Sequence, residues 1–198
     1  MSCTHGTPAA RAAVILIALF VAGCSSFALV NAASPNRYYE RAESIAYGPA
    51  ERQRLDVYRP DERPDSAPVV VFFYGGGWRE GRRRDYEFVG SALSRAGFVT
   101  VIPDYRLYPE VRFPTFVEDG AAALAWVAEN VAAHGGDRNA VHVMGHSAGA
   151  HIAAMLALNR RYVVAAGAPC LTIAGFVELS GPYDFLPIKS GYLTDVFP

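Results

Sequence analysis

From residue 41 onward, dense apolar runs alternate with stretches whose apolar residues recur at helical spacing. Residues 68–74, Pro-Val-Val-Val-Phe-Phe-Tyr, form a continuous run rich in β-branched and aromatic side chains. That composition predicts a strand buried on both faces. Residues 98–102 predict another buried strand, 140–144 a third of parallel type and 173–179 a fourth strand. Between them, residues 86–96 place Phe88, Val89, Leu93 and Ala96 on one side of a helix that Gly97 stops. Residues 116–133 do the same with Val117, Ala121, Leu124 and Val127 or Ala128, and residues 148–158 predict a third helix. Upstream, residues 44–47 and 54–58 read as a short antiparallel pair turned at Gly48-Pro49. Strands alternating with helices mean βαβ units: an α/β fold with a mostly parallel sheet, helices on both faces, and ligand chemistry at the strands' carboxyl ends.

The N-terminus follows another pattern. Residues 1–11 are polar and carry Arg11, residues 12–22 are uncharged and apolar, and Gly23-Cys24-Ser25-Ser26 follows. A positive region, an apolar core and a small-residue boundary describe a secretory signal. A membrane-spanning anchor over residues 12–30 is the competing reading, although Gly23 to Ser26 interrupt the run near its middle. The string Val21-Ala22-Gly23-Cys24 resembles a bacterial lipobox, with Val where Leu is commoner. The resemblance implies a lipidated Cys24 as the new N-terminus and an exported lipoprotein on the periplasmic side of the cell envelope. The chain thus divides into a signal segment (1–24), a small-residue tether (25–40) and an α/β domain over 41–198.

Composition narrows the function classes. Hydrophobic residues make up 52% of the 198, enough to bury a core, and the net charge is −1. That balance gives no electrostatic footprint for nucleic acid and no polybasic membrane patch. Cys3, Cys24 and Cys170 are too few and too scattered for a disulfide framework or zinc cluster. No dinucleotide fingerprint, P-loop or metal-ligand spacing occurs, so no cofactor is expected. Arg79, Arg82, Arg83 and Arg84 read as a solvated helix entrance, with a contact to an acidic substrate as the alternative.

Gly145-His146-Ser147-Ala148-Gly149 falls between a predicted strand and a predicted helix. A turn tight enough to expose the Ser147 hydroxyl strains the backbone there and leaves no room for side chains two residues to either side. The Ala148 N–H then lies at a helix start, facing a developing oxyanion. Tyr74-Gly75-Gly76-Gly77-Trp78 directly follows the first buried strand, where backbone N–H groups can approach a substrate oxygen. With these two motifs stand Asp104-Tyr105-Arg106-Leu107, Pro109, Pro114, Glu118-Asp119, Trp126, Gly136-Asp137 and Gly181-Pro182-Tyr183-Asp184. Over residues 50–185 the chain resembles the α/β-hydrolase carboxylesterases, especially the hormone-sensitive-lipase-like and feruloyl-esterase-like groups. The resemblance implies an α/β-hydrolase fold and hydrolysis of a small-molecule carboxylic ester. Ser147 would be the nucleophile, with oxyanion donors at Gly76, Gly77 and Ala148. It also implies a scaffold role for Asp104 to Leu107 and for Asp119. Tyr74 stands where the family usually places a loop-orienting histidine.

A triad of this class runs Ser, acid, His in chain order, yet His151 is the only histidine after Ser147. His151 falls inside the elbow helix, His146 at the variable elbow position, and His134 and His142 upstream. The expectation is therefore a chain lacking its catalytic Asp and His and its last strands and helices, a fragment that turns over esters poorly. A formamidase-type amidase and a catalytically inactive binding protein are the rival readings, and the oligomeric state is left open.

Overall fold

Two runs of unbroken apolarity set the centre of the sheet. In the computed structural model, β3 (Ala67–Phe73) and β4 (Val99–Pro103) are buried almost throughout. The structure describes residues 26–34, 38–61, 66–184, 186–189 and 191–198. The signal segment, the lipobox and Cys24 lie outside the described residues. With β1 (Tyr39–Ala46), β2 (Arg54–Pro60), β5 (Gly136–His146) and β6 (Ile173–Leu179), the strands form one six-stranded sheet in the order β1-β2-β4-β3-β5-β6. Strands β4, β3, β5 and β6 run parallel, whereas β1 and β2 join antiparallel at one edge. Helix α2 (Glu87–Arg95) packs on β2 and β4. Helix α3 (Thr115–Asn130) packs on α4 (Ala148–Leu158), which lies against β3, β5 and β6.

Three boundaries differ by three residues or more from those the pattern predicts, each for a local reason. Strand β1 begins at Tyr39, ahead of the predicted residue 44, and its register slips between Ala42 and Ile45. There Ser44 takes φ 59° and donates its N–H to the buried Asp56 carboxylate at 2.7 Å. The bulge breaks the alternation by which a strand is recognised. Strand β5 extends back to Gly136, which pairs with Ala67. Helix α3 ends at Asn130 and tightens into a 3₁₀ turn, Val131–His134, closed by Gly135 at φ 78°.

Three short helices were not predicted: α1 (Ser26–Ala33), α5 (Arg161–Ala165) and α6 (Gly191–Val196). Helix α1 lies inside the stretch read as a tether. Its Asn31 side chain accepts the Phe88 N–H at 3.0 Å and donates to the Arg84 carbonyl at 3.0 Å, which docks it at the start of α2. No helix among the described residues is long and apolar enough to cross a membrane.

Candidate active site

Register brings the two motifs together. Phe73 at the end of β3 pairs with Gly145 at the end of β5, so the loops leaving these strands emerge side by side. Ser147 sits between β5 and α4 at φ 52°, ψ −118°, a left-handed conformation that a non-glycine residue occupies only under strain. Its N–H is held by the Leu179 carbonyl at 2.8 Å, and its own carbonyl accepts the Ala150 and His151 N–H groups at 3.0 and 3.3 Å. Ser147 is the N-cap of α4, yet its side chain makes no capping bond and lines a pocket instead. The elbow glycines are steric necessities. A Cβ at Gly149 would overlap the Phe73 carbonyl, and one at Gly145 would overlap the Gly149 carbonyl. Ala148, buried, opens the first turn of α4, where N–H groups have no intrahelical acceptor.

Gly76 and Gly77 line the same pocket, of about 530 Å³, together with Arg79, Glu80, Ser147 and Tyr192. Their loop is a tight reversal: the Gly76 carbonyl accepts the Arg79 and Glu80 N–H groups at 3.0 and 3.1 Å. Gly76 adopts φ 131°, and a Cβ there would overlap the Glu80 carbonyl.

Asp104 staples both ends of this loop. One carboxylate oxygen accepts the Tyr74 hydroxyl at 2.8 Å and the Arg83 N–H at 2.7 Å, and the other accepts the Arg83 guanidinium at 2.5 Å. Arg83 also donates to Asp56 at 2.7 Å. Arg52 ties the Tyr74 hydroxyl, the Gly81 carbonyl and the Tyr105 carbonyl at 2.8–2.9 Å. Burial, with Asp104 beside it, pushes the Tyr74 phenol well above its ordinary value, so it stays protonated and donates. The residue in the usual histidine position is thus a buried anchor, stacked between Tyr86 and Tyr105. Asp119 likewise serves the scaffold, accepting from Arg106 at 2.6–3.2 Å and from Gln53 at 2.8 Å. The arginine cluster divides: Arg79, Arg82 and Arg84 are exposed as expected, but Arg83 is buried between two carboxylates.

No histidine among the described residues lines the pocket. His151 packs edge-on against Trp78, Phe113 and Phe197, and burial lowers its pKa to about 4. His134 lies against Trp126, its pKa lowered by burial and then by Arg59. His142 sits within β5 beside Gly175 of β6. His146 is exposed, but its ring borders the glycine loop: a Cβ on Gly75 would come within 2.7 Å of Nδ1. Neither a motif nor a periodic pattern marks Tyr192, which α6 carries over the pocket.

The BD-FAE family model matches residues 55–195. The chain is 38% identical over 117 residues to the isoprenylcysteine alpha-carbonyl methylesterase ICME of Arabidopsis thaliana, covering 59% of this chain and 27% of that protein. It is 43% identical over 108 residues to the carboxylesterase NlhH of Mycobacterium tuberculosis, covering 54% and 34%. Esterase B of Lactobacillus rhamnosis superposes with a TM-score of 0.74 at 22% identity, over 92% of this chain and 62% of that one, which shows the α/β-hydrolase fold. The chain spans about a third of the length of the curated relatives it matches.

Proposed function

The chain belongs to the BD-FAE family of α/β-hydrolases, and from that membership we propose that it is a serine hydrolase of small-molecule carboxylic esters. One observation carries the reading: Ser147, strained at the β5–α4 junction, turns into a pocket that Gly76 and Gly77 also line. Ser147 Oγ attacks the ester carbonyl carbon, and the carbonyl electron pair moves onto oxygen. Backbone N–H groups of Gly76, Gly77 and Ala148 stabilise that oxyanion. Collapse of the tetrahedral adduct expels the alcohol and leaves an acyl group on Ser147, which water then removes. The mechanism needs a general base with a carboxylate partner, and no described histidine is assigned to that role, since none lines the pocket. Such a base takes the Ser147 proton and returns it to the departing alkoxide.

The same proposal places the protein on the cell envelope through acylated Cys24. The support is the apolar run of residues 12–22 followed by Val21-Ala22-Gly23-Cys24 at its boundary. A fractionation of cells carrying Cys24→Ala checks this: the domain should leave the membrane fraction and lose acyl label. Retention as an integral membrane protein would point to an anchor helix instead.

Turnover of p-nitrophenyl butyrate by the full-length protein tests the activity. Ser147→Ala should lower kcat by about 10⁴-fold or more. Turnover that survives this change, or a wild-type protein that never turns over, overturns the reading.

A further inference from the structure

Helix α6 carries a polar group to the oxyanion loop from a part of the chain where no motif announced one. Tyr192 lines the pocket with Ser147, Gly76 and Gly77. Its hydroxyl lies 3.7 Å from the point that a Cβ on Gly77 would occupy. The phenol oxygen therefore borders the side of Gly77 on which a side chain would stand, and the N–H of that glycine is assigned to the oxyanion. We infer that Tyr192 is a third oxyanion donor, a catalytic residue of the ester-hydrolase reading on which this inference rests.

The position is built from both sides. The Arg79 guanidinium packs over the Tyr192 ring at 5.6 Å and over the Tyr108 ring at 5.7 Å. Arg79 belongs to the glycine loop, its N–H held by the Gly76 carbonyl, so the loop itself grips the ring whose hydroxyl faces it. From the other end α6 is pinned by the fully buried Val196, whose carbonyl accepts the Phe113 N–H at 2.9 Å. Phe197, one residue on, packs edge-on against Trp78 of the same loop at 4.8 Å. Both contacts hold the helix that carries the tyrosine against the glycine loop.

The chemistry follows from where charge develops. As the Ser147 Oγ–carbon bond forms, the carbonyl oxygen gains the displaced electron pair, and a donor aimed at it binds the adduct more tightly than the ester. The Tyr192 O–H donates a hydrogen bond to that oxygen and keeps its proton throughout. The Ser147 proton passes to the general base, as before. A hydroxyl on a rigid ring suits this task, because little rotamer freedom is lost when the bond forms.

Tyr192→Phe in the full-length protein isolates the hydroxyl, since the ring and its contact with Arg79 survive. On p-nitrophenyl butyrate kcat should fall roughly 10- to 100-fold with KM within about threefold of wild type. The inhibition constant of a trifluoromethyl ketone, whose adduct with Ser147 carries the oxyanion, should rise by a similar factor. Thermal melting should be unchanged, because Tyr192 is 40% exposed and loses no packing atoms except its oxygen. A Tyr192→Phe enzyme with wild-type kcat and ketone affinity overturns the donor role while leaving the esterase reading intact. A rise in KM alone does the same, assigning Tyr192 to the pocket wall. Absence of any Ser147-dependent turnover in the wild type overturns both.

Discussion

Ser147 caps the helix whose first turn ends at His151, yet their surroundings give them opposite chemistry. Ser147 is half-buried and open to the pocket, whereas His151 sits among the rings of Trp78, Phe113 and Phe197. Burial lowers the His151 pKa from 6.5 to about 4, so at pH 7 the ring is neutral but too weak a base for efficient proton abstraction. The depressed value also has a consequence for stability. Between about pH 6.5 and 4 the unfolded chain binds a proton at this position that the folded chain refuses, so stability falls as pH falls through that window. The loss approaches about 3 kcal/mol by pH 4 and is absent above the unfolded pKa. Denaturant melts of wild type and His151→Gln from pH 8 to 4 check this. The variant should show a flatter acid slope across the window, and parallel curves would assign the acid sensitivity to other groups.

Among the elements, legibility tracked how local the determining physics was. The runs that became β3, β4 and β6 and the helical spacing of α2, α3 and α4 are visible because each face is filled by the segment's own side chains. The elbow was visible for a similar reason: a strand, a tight turn and a helix lie within contiguous residues, and steric crowding dictates Gly145 and Gly149 locally. Arg83 was misread because its partners are remote. Within a run of arginines it resembles a solvated charge, and only folding brings Asp56 and Asp104 to it. Removing either carboxylate from around that buried guanidinium costs far more than an exposed ion pair is worth, so Arg83 is fixed where Arg82 and Arg84 hold only surface ion pairs. Tyr192 was invisible for another reason. A six-residue helix carries too few turns for a periodic signal, and its placement depends on Val196 and Phe197 docking rather than on its own sequence. The usual histidine of the glycine loop gives the converse case. The substitution by Tyr74 was plain in the sequence, but its consequence, a phenol bonded to Asp104 and Arg52, needed the tertiary arrangement.

Across the whole molecule, strand order does what no single motif can. Because β3 neighbours β5 and runs parallel to it, the glycine loop and the elbow leave the same carboxyl end of the sheet, and Ser147 faces Gly76 and Gly77 without a long connection. The same order leaves β6 at the edge of the sheet, paired on one side with β5 and with no neighbour on the other among the described residues. Its Phe176, Val177 and Leu179 are 41%, 50% and 42% exposed. An apolar parallel strand whose outer side meets no strand among the described residues is a template for another strand, and natural edges are blunted with charge where β6 has Glu178 alone. A polypeptide of these 198 residues alone should therefore self-associate through this edge in a concentration-dependent way. Val177→Lys places a charge in the middle of the strand, and its four-carbon stem can lie along Val177's former surface with the ammonium in water. The substitution should raise the concentration at which light scattering detects aggregates by severalfold, with the melting temperature within a few degrees of wild type. Lysine at position 177 with undiminished aggregation at unchanged stability would move the sticky surface elsewhere, the exposed Leu186 being the next apolar side chain to charge.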